Sequence, residues 1–584
     1  MTATERLIRA AEKVPAVAFD VFDTLICRDT AAPTGLFVLC GQDETFAERR
    51  VQAEREVRAL HQKEVTLKEI YSRPCLRREN VDMELSAELA AAVPNGPVVA
   101  AARACKNAGK AVYAISDMYL PAEQVRNLLE KCGVDFLDGV YVSSEYGVQK
   151  RSGKLFRVFL QDTGLRPDQV LFVGDDRRAD GVGARLAGIR WMPAPRKASL
   201  PVRMNDQAKG NLTAFVQNRL PETEEPVFFQ TLGPLAAGFA CWLHCKRNQN
   251  PSGRLLFMAR DMELIHKVYG LFWPEDRNVG YLRVSRRSLC PALLAAGRFD
   301  LVVDALPRQS LTTGPIARYC GADVPRGIVQ TFDLKRQEER EEVQSFLRSL
   351  DVDPDAVCRT QQYLKQQGVM EGSILVDIGS GGTIQRLLES LCEAPLHGLY
   401  LACDERLDQK RADVFLFQAK PAPLDYWMGQ PILEKLLSEP CGPTLGYRDQ
   451  EGEIVPICGK AHAERSVRQA RQEVLRFAEE WKKSILWKTG GRELVPDRVI
   501  LPFLQMMRSP SLSEIRLFEK LTVEDGGSWP VIPRPRRSRY LFHPASFVED
   551  LRNARWKIGF MRRCFLIPLP YARLYAAWKK REGA

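Results

Sequence analysis

The residues best equipped for chemistry in this chain stand at the ends of short apolar runs. In "AVAFDVFDTLICRD", residues 16–29, such a run closes on two carboxylates, Asp20 and Asp23, with Val21 and Phe22 between them. Alternate side chains of a strand share a face, so two acids serving one substrate are most simply two positions apart. Here they are three apart, in a stretch that is turning. "AVYAISD" ends in Ser116, a small hydroxyl able to bond an oxyanion, and "VQKRSGKLF" offers Lys150 at the entry to a helix. "FVGDDRRAD" supplies Asp175, Asp176 and Asp180, hard oxygen donors of the kind Mg²⁺ takes. Nucleophilic carboxylate, hydroxyl, ammonium and metal-binding acids together are what phosphoryl transfer through an aspartyl intermediate requires.

Those groups need a scaffold that brings strand ends together. Residues 1 to about 200 alternate strand-like and helix-like segments: "AVAFDVF", a long polar helix-prone stretch from Glu44 to about Leu89, "GPVVAAARACKNAG" with a glycine stop, "KAVYAIS", "AEQVRNLLEKCG", "GVYVSS", "SGKLFRVFLQDTG", "QVLFVGDD", "ADGVGARLAG" and "IRWMPA". Such alternation predicts a parallel sheet with right-handed crossovers, whose ligands sit outside the carboxyl ends of the strands. The polar stretch "PETEEP", 221–226, lies near a boundary. Beyond it "RLLFMARD", "VGYLRVSRRS", "SILVDIGSGGTIQRLLESL" and "LHGLYLAC" resume the alternation, a helix-rich part follows from Ala461 to Lys520, and "WPVIPRPRRSRY" reads as a linker.

Bulk properties exclude several classes. At 584 residues the chain needs more than one core. "LGPLAAGFACWLHC" falls short of the roughly 20 apolar residues of a membrane span, and "MTATERLIRAAEK" has no apolar core of a signal peptide. Fifteen scattered cysteines suit a reducing cytoplasm, and Cys241 and Cys245 with His244 read as helix packing because no second ligand pair follows them. Of the net charge of +11, the segment from Val531 onward carries +10, with 13 Lys or Arg against three acids. The basicity therefore belongs to the tail, and no nucleic-acid role is expected for the whole chain.

"FDVFDTL", "YAIS", "KRSGKLF" and "VGDDRRAD", in this order, resemble the four motifs of the haloacid dehalogenase (HAD) superfamily. Roughly 85 residues separate the first from the second, which resembles the type I members with a helical cap inserted after strand one. The resemblance implies Asp20 as nucleophile, Ser116 and Lys150 around the phosphoryl group, and Mg²⁺ held by Asp20, the Phe22 carbonyl and Asp175, with Asp180 orienting its shell. It also exposes a departure. Family phosphatases place a second Asp two residues after the nucleophile as general acid, where this chain has Phe22; Asp23 stands where glycine is usual. A positioned acid is worth about 10²–10⁴-fold. A site without one favours a leaving group that departs unaided, such as a phosphoanhydride, an aryl phosphate or a halide, unless Asp23 swings in. "FDVFDTLICR", "LKEIY", "SDMYLP" and "KRSGKLF", with the "MARD", "SRR" and "DIGSGGT" segments of the second half, further resemble large bacterial HAD-type predicted hydrolases associated with cell-surface polysaccharide biosynthesis and glycosyltransferases.

The second half has a candidate site of its own. "ILVDIGSGGTIQRLL" reads as strand, glycine loop and helix, and Asp377, Gly379, Gly381, Gly382 and Thr383 would hold a phosphate on backbone amides, while "FMARD" ends another strand with Arg260 and Asp261. The tail interleaves Trp556, Phe560, Phe565, Tyr571, Tyr575 and Trp578 with basic residues, a pattern that suits either an anionic membrane surface or packing on the protein's own body.

The expectation is an α/β protein. A HAD-like domain spans 1–200 with a helical cap at about 28–108, a second α/β domain spans 201–530, and a helical basic tail spans 531–584. Its expected activity is Mg²⁺-dependent phosphohydrolysis or phosphotransfer on a phosphorylated small molecule, sugar phosphate or nucleotide-sugar. Its expected place is the cytoplasm, with peripheral contact at the inner face of the membrane. The alternatives are a catalytically weak HAD-like binding or scaffold module attached to a sugar- or nucleotide-binding or glycosyltransferase-like domain, and a haloacid dehalogenase-like hydrolase.

Overall fold

The structure, a computed structural model, describes residues 2–41, 44–60, 64–195, 210–221, 226–323, 329–379, 381–418, 421–460, 464–524 and 528–581. It divides into two compact units, residues 1–226 with 480–493, and residues 227–479 with 494–584. Most of the "PETEEP" boundary, residues 222–225, lies outside the described residues.

In the first unit, β1 (Ala16–Phe19), β2 (Ala111–Ser116), β3 (Gly139–Val142), β4 (Val170–Gly174) and β5 (Arg190–Pro193) form one parallel sheet in the order β3-β2-β1-β4-β5. β1 and β4 are buried throughout, because helices cover both faces of such a sheet, and that is why they read as unbroken apolar runs. On the helix Lys154–Thr163, Phe159 meets Tyr113 and Tyr141 edge-on at 5.1 and 5.2 Å, and Phe156 meets Phe172 at 4.7 Å. Each such ring taken from water contributes about 1.5–3 kcal/mol. The helices Gly96–Asn107 and Ala122–Lys131 end at Gly109 and Gly133, both with positive φ, as their glycine stops predict.

After β1 the chain makes an excursion. Ile26–Arg28 and Ala92–Pro94 pair antiparallel as a two-strand stalk, and between them run the helices Gly35–Gly41, Glu44–Leu60, Leu67–Tyr71 and Val81–Ala91. The long helix-prone stretch from Glu44 is therefore broken, because Thr66 and Glu69 form a capping box and Asn80 caps the next helix. Arg50 and Glu84, both fully buried, are paired at 2.6 and 2.8 Å, and the Tyr71 hydroxyl donates to Glu84 at 2.9 Å. Helix Gly96–Asn107 follows the return strand and packs against β2 and the helix Ala3–Ala11. Residues 480–493 complete this unit. The buried Trp481 meets Phe215 edge-on at 5.0 Å, and Arg219 bonds both Asp29 and Glu480 at 2.7 Å.

In the second unit, β6 (Leu255–Met258), β7 (Val279–Leu282), β8 (Ile374–Asp377), β9 (His397–Tyr400) and β10 (Ala412–Val414) form a second parallel sheet in the order β10-β9-β8-β6-β7. The apolar segment near residue 240 is a helix, Gly233–Gln249, buried along most of its length. Its His244 stacks on Trp273 at 3.9 Å between a buried Cys241 and an exposed Cys245. Among the described residues no helix is long and apolar enough to cross a membrane. In the tail, Trp556 is fully buried and its Nε1 donates to the Met507 carbonyl at 3.1 Å. Phe560, Tyr571 and Tyr575 are buried too, whereas Leu541, Phe542, Phe565, Leu566, Ile567 and Leu569 face outward.

Candidate active site

The first sheet reverses its winding between β1 and β4, and an open α/β sheet offers its ligand crevice at that point. Asp20 is the first residue beyond β1. Its backbone amide still donates to the Val173 carbonyl at 2.8 Å, so the strand pairing aims the carboxylate. Asp175 is the first residue beyond β4. Asp180 comes from the π-helical turn Arg177–Val182, which Asp176 caps by accepting from the amides of Arg178 and Ala179 at 2.6 and 3.0 Å. Asp176 is thereby a structural cap. Gly174 is needed here, because a Cβ at that position would stand 2.2 Å from Asp180 Oδ2.

Lys150 ties the acids together. It is 3% exposed, and its Nζ bonds Asp20 Oδ1 and lies 2.6 Å from Asp180 Oδ1. Its amide donates to Asp117 Oδ1 at 2.8 Å, and Gly183 lets its carbonyl in, since a Cβ there would stand 2.1 Å from it. Ser116, at the end of β2, is 1% exposed, and its Oγ has no hydrogen-bond partner among the described residues. A buried hydroxyl without a partner costs roughly 1–3 kcal/mol until something bonds it.

Burial pushes the Asp20 carboxyl up to about 7 against the pull of Lys150, and Asp180 and Asp175 add to the rise. Burial, Asp180 and Asp23 push Asp175 up to about 6. Although burial disfavours its charge, Lys150 is held above the ordinary ammonium range by Asp20, Asp180 and Asp117. Three carboxylates facing one ammonium leave two negative charges, which is what a divalent cation neutralises. One oxygen from each of Asp20, Asp175 and Asp180 lies within 4.8 Å of the others, and the donor set is wholly hard oxygen. These residues fit a metal ion.

The turn after Asp20 is equally definite. The Phe22 ring lies under the Arg28 guanidinium at 4.1 Å from its centroid, and Arg28 is paired with Glu88 at 2.8 and 3.0 Å. Asp23 is exposed, has φ of +58°, and closes the turn by an amide bond to the Ile26 carbonyl at 2.7 Å. Its charge reaches both Asp175 and Arg28, so it stands at the same mouth.

The structure thus gathers Asp20, Lys150, Asp175 and Asp180 in one cluster, with Ser116 at the end of the neighbouring strand. Asp117, Gly174, Gly183 and Arg28 were not singled out from the sequence. Only Asp117, adjacent to Ser116, carried a usable signal. In the second unit Asp261 and Asp377 come to neighbouring strand ends. Gly379, with φ of +78°, and Gly382, with +64°, shape the loop that leads into the helix Thr383–Cys392. An added Cβ at Gly379 would stand 2.4 Å from the Ala402 carbonyl oxygen, and one at Gly382 2.8 Å from Leu407. The Gly381 carbonyl accepts from Arg386 at 2.7 Å.

Residues 14–188 match the family model described as haloacid dehalogenase-like hydrolase. Over 74 residues, 12% of this chain, the sequence is 38% identical to a phosphoserine phosphatase of Thermus thermophilus, and the match spans 30% of that relative's length. Similar solved structures include CbbY from Rhodobacter sphaeroides in complex with phosphate, at 17% identity and TM-score 0.24, covering 31% of this chain and 87% of that one. L-2-haloacid dehalogenase from Xanthobacter autotrophicus is another, at 21% identity and TM-score 0.25, covering 33% and 80%.

Proposed function

We propose that residues 14–188, a haloacid dehalogenase-like hydrolase region, cleave or transfer the phosphoryl group of a small phosphorylated metabolite through a phosphoaspartate on Asp20. The observation that carries this reading is Lys150, bonded to both Asp20 and Asp180 beside three converging carboxylate oxygens and the unpartnered Ser116 hydroxyl. Lys150 engages Oδ1 of Asp20 and leaves Oδ2 to attack phosphorus. The P–O bond to the leaving group breaks, and its electron pair departs on that oxygen. Ser116 donates to a phosphoryl oxygen, and Lys150 balances the charge passed from carboxylate to phosphate. In hydrolysis, water then attacks phosphorus, the Asp20 O–P bond breaks, and inorganic phosphate and the free carboxylate return. Asp20, the Phe22 carbonyl and Asp175 would hold Mg²⁺, with Asp180 behind them. The ion, when bound, screens the repulsion between carboxylate and phosphate.

With Phe22 two positions after Asp20, the leaving group must be a weak base, and a phosphoanhydride fits best. The resemblance to proteins of surface-polysaccharide assembly supports a sugar carried on a diphosphate, as in a nucleotide-sugar, whose scissile bond is the anhydride and not the bond to the sugar. The helices between residues 35 and 91 would cap the crevice. The same Phe22 supports a second reading, a module that binds phosphate without turnover. A phosphatase screen spanning leaving-group pKa, with Mg²⁺ or EDTA, separates the two. Turnover is expected on acyl and aryl phosphates with Mg²⁺ and is lost in EDTA and in Asp20→Asn. Activity surviving Asp20→Asn would refute the mechanism, and inactivity on every substrate would leave the binding module.

The outward apolar residues of the tail, set among its Lys and Arg, support peripheral contact with an anionic membrane from the cytoplasmic side.

A further inference from the structure

The second sheet reverses its winding just as the first does. The chain runs from β6 outward to β7, crosses back to β8 on the other side of β6, and continues to β9 and β10. The carboxyl ends of β6 and β8 therefore flank a crevice of the kind in which open sheets take ligands. Asp377 is the last residue of β8, and Arg260 and Asp261 follow β6 within three positions. The helix Leu424–Leu437 lays one face across these ends, with Gln430, Glu434 and Ser438 spaced one turn apart. Gln430 Nε2 donates to the Gly379 carbonyl at 3.1 Å and to Glu434 at 2.9 Å, and Ser438 Oγ donates to Asp261 at 2.7 Å. One turn earlier on the same face, the Tyr426 side chain is fully buried. Its hydroxyl has no hydrogen-bond partner among the described residues and feels the Glu434 charge. A cavity of about 180 Å³ opens here, lined by Arg260, Asp261, Arg286, Glu434, Ser438 and Arg555, among others.

The lining decides the ligand class. Guanidinium groups recognise phosphate through paired N–H donors. Carboxyl groups with one bond already made keep acceptor capacity for hydroxyls. Among the described residues, the acids that converge within reach of one metal ion are those of the first unit, not these. At about 180 Å³ the cavity is smaller than the roughly 300–1,000 Å³ of sites for drug-sized ligands, so it suits one sugar ring and a phosphate better than a dinucleotide. We propose that this crevice binds a phosphorylated monosaccharide, with its hydroxyls on Asp261 and Glu434 and its phosphate on Arg260 and Arg286. Burial, with Asp261 and Asp377 nearby, pushes Glu434 up to about 8. A proton retained there lets it donate to a sugar oxygen as well as accept.

This site is independent of chemistry at Asp20, and its test keeps the two apart. Full-length Asp20→Asn protein is titrated calorimetrically with glucose 1-phosphate, glucose and inorganic phosphate, alone and with Arg286→Ala or Glu434→Ala added. Arg286 is exposed, so its removal leaves the core intact, and thermal unfolding checks the fold of each variant. The expected result is saturable binding of glucose 1-phosphate. It weakens about tenfold or more in each added variant, and glucose and phosphate alone bind at least about tenfold less tightly. Absence of saturable binding, equal affinity for inorganic phosphate, or an affinity untouched by both variants would overturn the proposal.

Discussion

Two positions beyond Asp20, an aromatic ring lies beneath the Arg28 guanidinium and has no proton to exchange. The remaining acid of that turn, Asp23, has φ of +58°, a conformation that costs most L-residues roughly 1–2 kcal/mol and that Asp and Asn tolerate best. Its amide donates to the Ile26 carbonyl at 2.7 Å and so closes the turn. Asp23→Asn should therefore keep activity within about tenfold of wild type on the poorest leaving group that wild type turns over as well as on an aryl phosphate, short of the 10²–10⁴-fold a positioned acid is worth. Asp23→Val should lose about 1–2 kcal/mol in denaturant unfolding from backbone strain. A loss of about 10²-fold in folded Asp23→Asn would make Asp23 the missing acid. Asp20, Ser116 and Asp175 were legible in the sequence because each ends a recognisable apolar run, and Lys150 because it opens a helix. That Lys150 bonds Asp180 as well as Asp20 was not, since that contact depends on how closely the π-helical turn approaches through Gly174 and Gly183.

Elements position these side chains by strand order. Adjacent strands that wind in opposite directions from a shared starting line leave a crevice, and each sheet fills its crevice with acids. At the crevice of the second sheet, burial pushes Asp377, at the end of β8, up to about 6 and Glu434, on the helix across it, up to about 8, from ordinary values of 3.8 and 4.5. The folded state therefore holds more protons than the unfolded chain from about pH 4 to about pH 8. The stability these groups contribute is fully present at the acid end of that window and is lost as the pH rises through about 8. Relative to wild type, Glu434→Gln should gain thermal stability steadily from pH 5 to 8.5, and a wild-type-to-variant difference independent of pH would contradict this. Strand positions were legible from composition, and helix ends from glycine. The breaks within the polar stretch after Glu44 were not, because periodicity continues across them, and only the caps at Thr66 and Asn80 mark them.

For the whole molecule, charge and exposure coincide in the tail. From Val531 onward the chain holds +10 of the net +11, and this same stretch exposes Leu541 at 81% and Phe542 at 79% while burying Trp556. The sequence left membrane contact and self-packing open for the tail aromatics, and the structure divides them: Trp556, Phe560, Tyr571 and Tyr575 are buried, and Phe565 faces outward. Full-length protein should sediment with phosphatidylserine-containing vesicles at low salt and not with pure phosphatidylcholine, each nearby basic residue adding about 1 kcal/mol. Phe542→Ser with Ile567→Ser should weaken that binding. Equal binding to both vesicle types, or no effect of the substitutions, would contradict a membrane role. The return of residues 480–493 to the first unit was equally hidden, because a contact such as Trp481 with Phe215 leaves no local pattern.

Asp20 should carry a phosphoryl group during turnover. Protein mixed with acetyl phosphate and Mg²⁺, quenched in acid within one turnover and digested, should yield a phosphorylated peptide spanning residues 16–29. The adduct should map to Asp20, be released by hydroxylamine and be absent from Asp20→Asn. Turnover of acetyl phosphate by wild type with no adduct on that peptide, or with the adduct on another residue, would contradict the account.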